Sequence, residues 1–583
     1  MSTQRVRIAT SCRSAQWPRT LRFGAFEKNT LAAACMMFLT GMGSFKIVPP
    51  LTIDREALFE AVDAAGGRWT SFWEHELGHF GALDWTVLAI YFIGSIALGS
   101  YFGRRQQDTE DFLLAGRKMS WLPVAISIMA TNTSAVSYMG VAAYIYKQNL
   151  MLYPNVITLV LITPLVLYLF VNFYYNLKVY TAYEYLEKRF NPLVRSIASV
   201  LFIFLRLCWL ATMIYATSIA LAEITGVSQV YCSLALGLGT SLYTMLGGME
   251  GVIWTDVAQA AVFMAGVLFI GVYVLMDFGW DAGQIYSIAA EAGKTQMADW
   301  TLDPTIDITV WSVVSGYLVI NLASYGVDQV VLQRYFTAKD LRSSRRSVIA
   351  NAFIDGPATT LLFLISLGIF AYFQKHADRL PANFSPDRVL PYFVITALPP
   401  GISGLVIAGI MAATMSSISS GVNSIATASL VDFYQRFIRR EAPAHHYLGV
   451  SRWMSLFWGV TATVMGLFVG RLGTVLEISA KTNSFFTGIL LGIFLLGILT
   501  LRANWQGTSL GALVSLLIVI YAGTFTRTSF FLYAPLGLGL TMLLGYLFSL
   551  GFPAMSPESL RGLVKGHGAD GIQGDGARPP ATA

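Results

Sequence analysis

Residues 121–146 read WLPVAISIMATNTSAVSYMGVAAYIY. Both ends are apolar enough for lipid, but the middle, Ala130 to Ser137, is a run of small and hydroxyl-bearing residues. Thr, Asn and Ser side chains offer the backbone competing hydrogen bonds, so a helix through this stretch can open and free its carbonyls. At membrane depth such an opening is tolerated only where it lines a cavity. The competing reading is that the small residues only let helices pack closely. The stretch decides the fold if its surroundings are a membrane domain and a second interruption matches it.

Composition supplies the first condition. Of 583 residues, 55% are hydrophobic and 12% charged, about half the charged fraction of a soluble domain. The chain divides into apolar runs of about twenty residues, the length that crosses a bilayer as helix. They begin at Leu83 and then near Trp121, Met151, Ser196, Ser228, Asp256, Ile308, Val348, Gly401, Trp453, Thr474, Gln506 and Ser529. An all-α membrane protein of about thirteen transmembrane helices is expected. Basic clusters at Arg104–Arg105, Lys188–Arg195, Arg334–Arg346 and Arg436–Arg440 fall on one side if the spans alternate, and that side is the cytoplasm. The net charge of +6 belongs to these loops and the N-terminus, and does not argue for nucleic acid.

Residues 1–82 look like an addition: six basic residues from Arg5 to Lys28 precede TLAAACMMFLTGMGSF, the charge order of a signal-like segment or a retained anchor helix. Residues 83–551 form the transporter-like domain, and 552–583, rich in Gly, Pro and Ala, read as a disordered cytoplasmic tail. Cys12, Cys35, Cys208 and Cys232 give no paired framework.

The second interruption is NLASYGVDQVVLQRY, from Asn321 to Tyr335. Residues 121–500 hold about ten spans, and the two interrupted ones open the first and second groups of five, the placement expected of an inverted-repeat transporter with a midplane site. The run GLVIAGIMAATMSSISSGVNSIATASLVDFY, residues 404–434, then places Ser416, Ser417, Ser419, Ser420 and Ser424 in an otherwise apolar helix. Isolated serines bond back to their own helix. Five in nine positions, with Ser416 over Ser420 and Ser417 over Ser424, instead offer the neutral oxygens that a hard cation such as Na+ takes.

Four segments, ATNTSAVSYMG from Ala130, GGMEGVIWTDVAQ from Gly247, DQVVLQRYFTAK from Asp328 and the serine-rich run, resemble in order and spacing the signatures of the sodium:solute symporter family, over roughly Leu83 to Thr500. The resemblance implies a five-plus-five inverted repeat, a broken first helix in each half, and alternating access driven by Na+. It implies a main Na+ site from the carbonyls of Ala130, Thr133 and Ala413 with the hydroxyls of Ser416 and Ser417. Asp256 matches an acidic family position near a second Na+ site, which Ser416, Ser419 and Ser420 would complete. A compatible reading makes Asp256 a helix cap at the start of an apolar run.

The solute is expected among Ser134, Ser137, Arg206, Asn321 and Ser324. Glucose-carrying branches have Glu and Gln where this chain has Val136 and Ser137, which weighs against a glucose-type site. Arg206, deep in an apolar run, resembles the carboxylate-binding arginine of sialic-acid carriers; the other reading is snorkelling to the cytoplasmic interface. Asp328 and Gln329 are expected to organise the cytoplasmic end of their helix.

The expectation is a non-enzymatic symporter of the cell (inner) membrane that imports a small organic anion with Na+ as coupling ion and no organic cofactor. Its partners would be the solute and membrane lipid. A sugar or other neutral solute is the alternative. A different class is raised by FWEHELGHFG, residues 72–81: His75, Glu76 and His79 stand in zinc-peptidase order, yet in the N-terminal addition and without an evident third ligand.

Overall fold

A helix that bends inside lipid needs a partner for each backbone group it releases. The computed structural model, which describes residues 80–104, 106, 108–177, 179–381, 384–469 and 475–567, meets that need with polar caps. Its longer helices are α1 Ala82–Gly103, α2 Trp121–Asn132, α3 Ala135–Lys147, α4 Asn155–Val166, α5 Pro192–Thr225, α6 Gln229–Asp277, α7 Val310–Gly326, α8 Gln329–Phe336, α9 Leu341–Lys375, α10 Ile402–Ala428, α11 Ala444–Gly466, α12 Val475–Leu499, α13 Trp505–Phe525 and α14 Tyr533–Leu550. Among the described residues the protein is all-helical apart from one isolated bridge, Met119 to Ala338. The HELGH stretch and the N-terminal apolar run lie outside the described residues.

Both expected interruptions are bends. The α2–α3 pair turns by 51° and α7–α8 by 45°. The first restarts on Ser134, whose hydroxyl accepts from Ser137 N at 3.4 Å, and the second on Asp328, whose carboxylate accepts from Val330 N at 2.9 Å. The bridge at Met119 joins the start of α2 to the end of α8.

Among the described residues, eight helices are long and apolar enough to cross a membrane, or up to ten if each bent pair is one span. The eight count α6 once, although it is two helices joined across a kink at Gly248. The runs expected from Ser228 and Asp256 lie in one element, α6, and those near Trp453 and Thr474 are α11 and α12, neither among the eight. α6 is broken at Gly248 rather than near Asp256, with φ 54° and ψ −160° inside the element. Asp256 therefore sits within a helix and caps nothing, because the chain turns eight residues earlier.

α10 is almost wholly buried, packed on α6, α5 and α11. At one end Asp84 of α1 accepts from Gly401 N, Ser403 Oγ and Gly404 N at 2.7, 2.8 and 2.7 Å, fixing the start of α10. At the other end α10 continues as a π-helical stretch, Ser429–Ile438, in which Asp432 accepts from Arg195, Ser199 and Thr181. Arg195 also bonds Glu187, which pairs with Arg436.

The tail needs correction as far as His567. Leu560 and Val564, four positions apart, are buried, Lys565 N donates to Ile498 O at 2.9 Å, and Tyr185 Oη donates to Leu563 O at 3.0 Å. Two buried apolar anchors and these backbone bonds hold a segment that composition alone assigned to disorder.

A Cβ at Gly248 would lie 2.6 Å from the Gln106 amide nitrogen and 2.9 Å from both the Phe112 ring and the Phe112 carbonyl. Gly226, with φ 70°, has nothing within 4 Å. Gly248→Ala is expected to lower the melting temperature in detergent by several degrees, combining left-handed strain of about 1–3 kcal/mol with a clash. Gly226→Ala should cost only roughly 1 kcal/mol. Equal shifts in the two variants would show that the Gly248 turn is not sterically required.

Candidate functional site

Two polar centres lie where the bent helices meet α5, α6, α9 and α10. One is a cavity of about 290 Å³ whose polar lining includes Ser137, Arg206, Asn321, Ser324, Asp328 and Asp355, against apolar walls such as Trp209, Tyr317 and Phe363. The other is a buried knot of serines and ions between α2, α6, α8 and α10.

Arg206, midway along α5, reaches the break between α7 and α8. One of its terminal nitrogens bonds Asp328, while its Nε is buried without a partner. The guanidinium is mostly buried and faces the cavity, so it does not snorkel. Asp328 lies at the break itself, not at the cytoplasmic end where it was expected, because it is the cap on which α8 starts. Gln329 is also internal, accepting from Ala182 N at 3.1 Å and donating to Tyr180 O at 2.9 Å.

Of the other expected solute residues, Ser137 and Ser324 line the cavity, and Asn321 does so while donating to Thr158 Oγ1 at 2.8 Å. Ser134 is fully buried behind the wall, its hydroxyl spent on the α3 cap.

Of the main expected ion site, Ala130, Ala413, Ser416 and Ser417 come together across α2 and α10. Ser416 Oγ donates to Ala130 O at 2.8 Å and to Ala413 O at 3.0 Å. Ser417 Oγ donates to Thr131 O and to Ala413 O, each at 3.1 Å. Thr133 Oγ1 turns instead towards Asp355 Oδ1, 3.4 Å away. Thr131, absent from the expected set, supplies the carbonyl beside Ser417.

Asp256 lies behind these serines, fully buried, with Ser127 Oγ at 2.6 Å and Arg334 Nη2 at 2.9 Å. Arg334 also donates to Ser127 Oγ, to Val330 O and to Ser420 Oγ. Ser420 lies 3.1 Å from Thr131 Oγ1, and Ser419 Oγ bonds back to Ser416 O at 3.0 Å. Among the described residues Asp256 Oδ1 accepts no hydrogen bond. Arg334, counted by its sequence position with the cytoplasmic loop, is thus an interior cation. α8 is buried along its whole length, so its one charged residue, in the last turn, points into the protein. Ser424 donates to Gln333 Oε1 at 3.0 Å and belongs to the helix packing, not to either centre.

The profile of the Sodium:solute symporter family matches residues 112–518. The chain belongs to the sodium:solute symporter family. Among curated members it is 30% identical to the sodium/sialic acid symporter NanT of Aliivibrio fischeri, over 81% of this chain and 94% of the relative. It is also 30% identical to the human sodium-coupled monocarboxylate transporter 1, over 77% of this chain and 74% of the relative. A solved structure of a Na+-coupled sialic acid symporter, in a substrate-bound outward-open state described as revealing a novel Na+ site, superposes with a TM-score of 0.77. It shares 29% identity, with 82% of this chain and 99% of that one covered. These relatives are transporters, not enzymes. The chain is accordingly a multi-pass, Na+-coupled symporter.

Removing one member of a buried ion pair leaves the other charge stranded, at a cost of about 3–5 kcal/mol, whereas removing both is far milder. Arg334→Gln is expected to reduce thermal stability markedly. The double variant Arg334→Gln/Asp256→Asn should recover most of that loss in the same unfolding assay. A double variant no better than the single one would mean that the pair is not energetically coupled.

Proposed function

We propose that this symporter imports a small organic anion, a carboxylate, through the cavity lined by Arg206. The observation that carries the reading is the guanidinium itself: an arginine at membrane depth facing a solute-sized cavity, with no hydrogen bond at its buried Nε among the described residues. Arginine presents a planar fork that grips a carboxylate through two parallel hydrogen bonds. The relatives named for sialic acid and for monocarboxylates support an acidic solute.

For the driving ion, the carbonyls of Ala130, Thr133 and Ala413 and the hydroxyls of Ser416 and Ser417 are the proposed main Na+ ligands. Ser416 and Ser417 already touch carbonyls of both α2 and α10, the convergence of neutral oxygens a hard cation takes. Asp256 with Ser416, Ser419 and Ser420 is the proposed second site, supported by the orphaned Asp256 Oδ1. A cation bridging α2 and α10 at these oxygens would favour one relative position of the two helices, which is how ion binding biases alternating access.

A neutral solute is the second reading, and one observation favours it: Asp328 already neutralises Arg206, so an entering carboxylate must compete for the guanidinium.

Two measurements in proteoliposomes test the assignment. Ser417→Ala removes a proposed ion ligand and should weaken the Na+ dependence of uptake; an unaltered Na+ dependence would show that the α2–α10 oxygens are not the coupling site. Arg206→Lys keeps the charge but loses the fork. The half-saturating concentration of a carboxylate solute should then rise about ten- to a hundredfold, the loss of one charge-assisted bond, with Na+ binding in the absence of solute nearly intact. Equal uptake by the two proteins would favour the neutral solute.

A further inference from the structure

One carboxylate of the cavity wall takes part in neither the Arg206–Asp328 pair nor the serine knot. Asp355 stands inside α9 and lines the central cavity together with Thr133, Tyr325 and Thr359. Among the described residues no Lys, Arg or His pairs with it, and its one hydrogen-bond neighbour is Thr133 Oγ1, 3.4 Å from Oδ1. A hydroxyl committed to a carboxylate closes to roughly 2.5–2.7 Å. The Thr133 contact stops well short of that.

An ionised carboxylate at this depth is costly unless a positive charge compensates it. The surroundings add to the demand. α2 ends at Asn132, so the partial negative charge of its C-terminus is directed at the same place. The break beyond it offers backbone carbonyls as further oxygens. The geometry is also suggestive of a shared ligand. Two oxygens bound at right angles to one hard cation, at bond lengths of about 2.4 Å, stand about 3.4 Å apart. Thr133 Oγ1 and Asp355 Oδ1 have that spacing. Thr359, one helical turn beyond Asp355, puts another hydroxyl on the same face of α9.

We propose that Asp355 and the Thr133 hydroxyl form a further Na+ site in the wall of the solute cavity, separate from the serines of α10. Arg206 and Asp328 cancel each other across the cavity, so this cation answers a charge that no described side chain balances. The site does not depend on the identity of the solute. By neutralising Asp355 it removes a negative charge that would repel an anionic solute from the same cavity.

The experiment counts Na+ ions bound by the purified full-length protein in nanodiscs, by equilibrium binding of radioactive Na+ without solute. Asp355→Asn is expected to bind one Na+ fewer per chain than the wild type. Ser417→Ala, acting at the other site, should lose a different one, so that the double variant loses two. The same Na+ count in Asp355→Asn and wild type would overturn the site. It would also be overturned if Asp355→Asn kept its Na+ count while losing affinity only for solutes bearing an ammonium group, or while losing only the pH dependence of uptake; those outcomes assign the carboxylate to solute or to a proton. If Asp355→Asn does not yield monodisperse protein, Thr133→Val retains the carboxylate and the backbone. It should weaken one Na+ about tenfold, and an unchanged binding isotherm would likewise overturn the proposal.

Discussion

The constraint on which this structure rests is that the hydrocarbon core supplies no water to a broken helix. A chain that unwinds there must bring its own hydrogen-bond partners. Here each bend restarts on a polar cap, Ser134 for α3 and Asp328 for α8. The caps are what make the bends affordable, and the bends in turn bring hydroxyls, carbonyls and charges to the middle of the bundle. The cavity and the serine knot are consequences of that requirement.

Burying ions in the same region imposes a second condition, that each charge be held from several directions at once. Arg334 shows how this is met: it draws on Asp256 from α6, Ser127 from α2, Ser420 from α10 and a carbonyl of its own helix. Four elements converge on one guanidinium. Buried pairs of this kind contribute little net stability relative to an apolar core, but they penalise alternative packings heavily.

Much of the architecture was legible in the sequence because it rests on local signals. The hydroxyl-rich interior of residues 121–146, the break near Val327 and the serine face of α10 are each visible within a single apolar run. The pairing of Ser416 with Ala130 followed from the family resemblance, and the two do meet. What could not be read was which charges meet across distant helices. Arg334 sits in a run of basic residues that looks like a cytoplasmic loop, and only packing reveals that it faces inward, because its partner Asp256 is 78 positions away. Arg206 and Asp328 are 122 positions apart, so the sequence did not point to the counter-ion that the fold supplies. Asp355 carries no local signature at all, being one acidic residue in an ordinary helical run. The tail was misread for a related reason: Leu560 and Val564 are too few to register in composition, yet suffice where a docking surface already exists.

Asp328 has two oxygens with two different duties. Oδ1 holds the first turn of α8 and Oδ2 holds Arg206. The eight residues of α8, about 12 Å of helix, then end close to Arg334 and its contacts with Asp256 and Ser420. A group in the cavity that draws Arg206 away therefore acts on one end of a short rigid lever whose other end grips the serine-rich helix. Any preference that the cavity's occupant gains from the state of the proposed ion sites must be returned in equal measure, since linkage between two binding events is reciprocal. A transmission only two turns long leaves little slack in which that linkage could be lost.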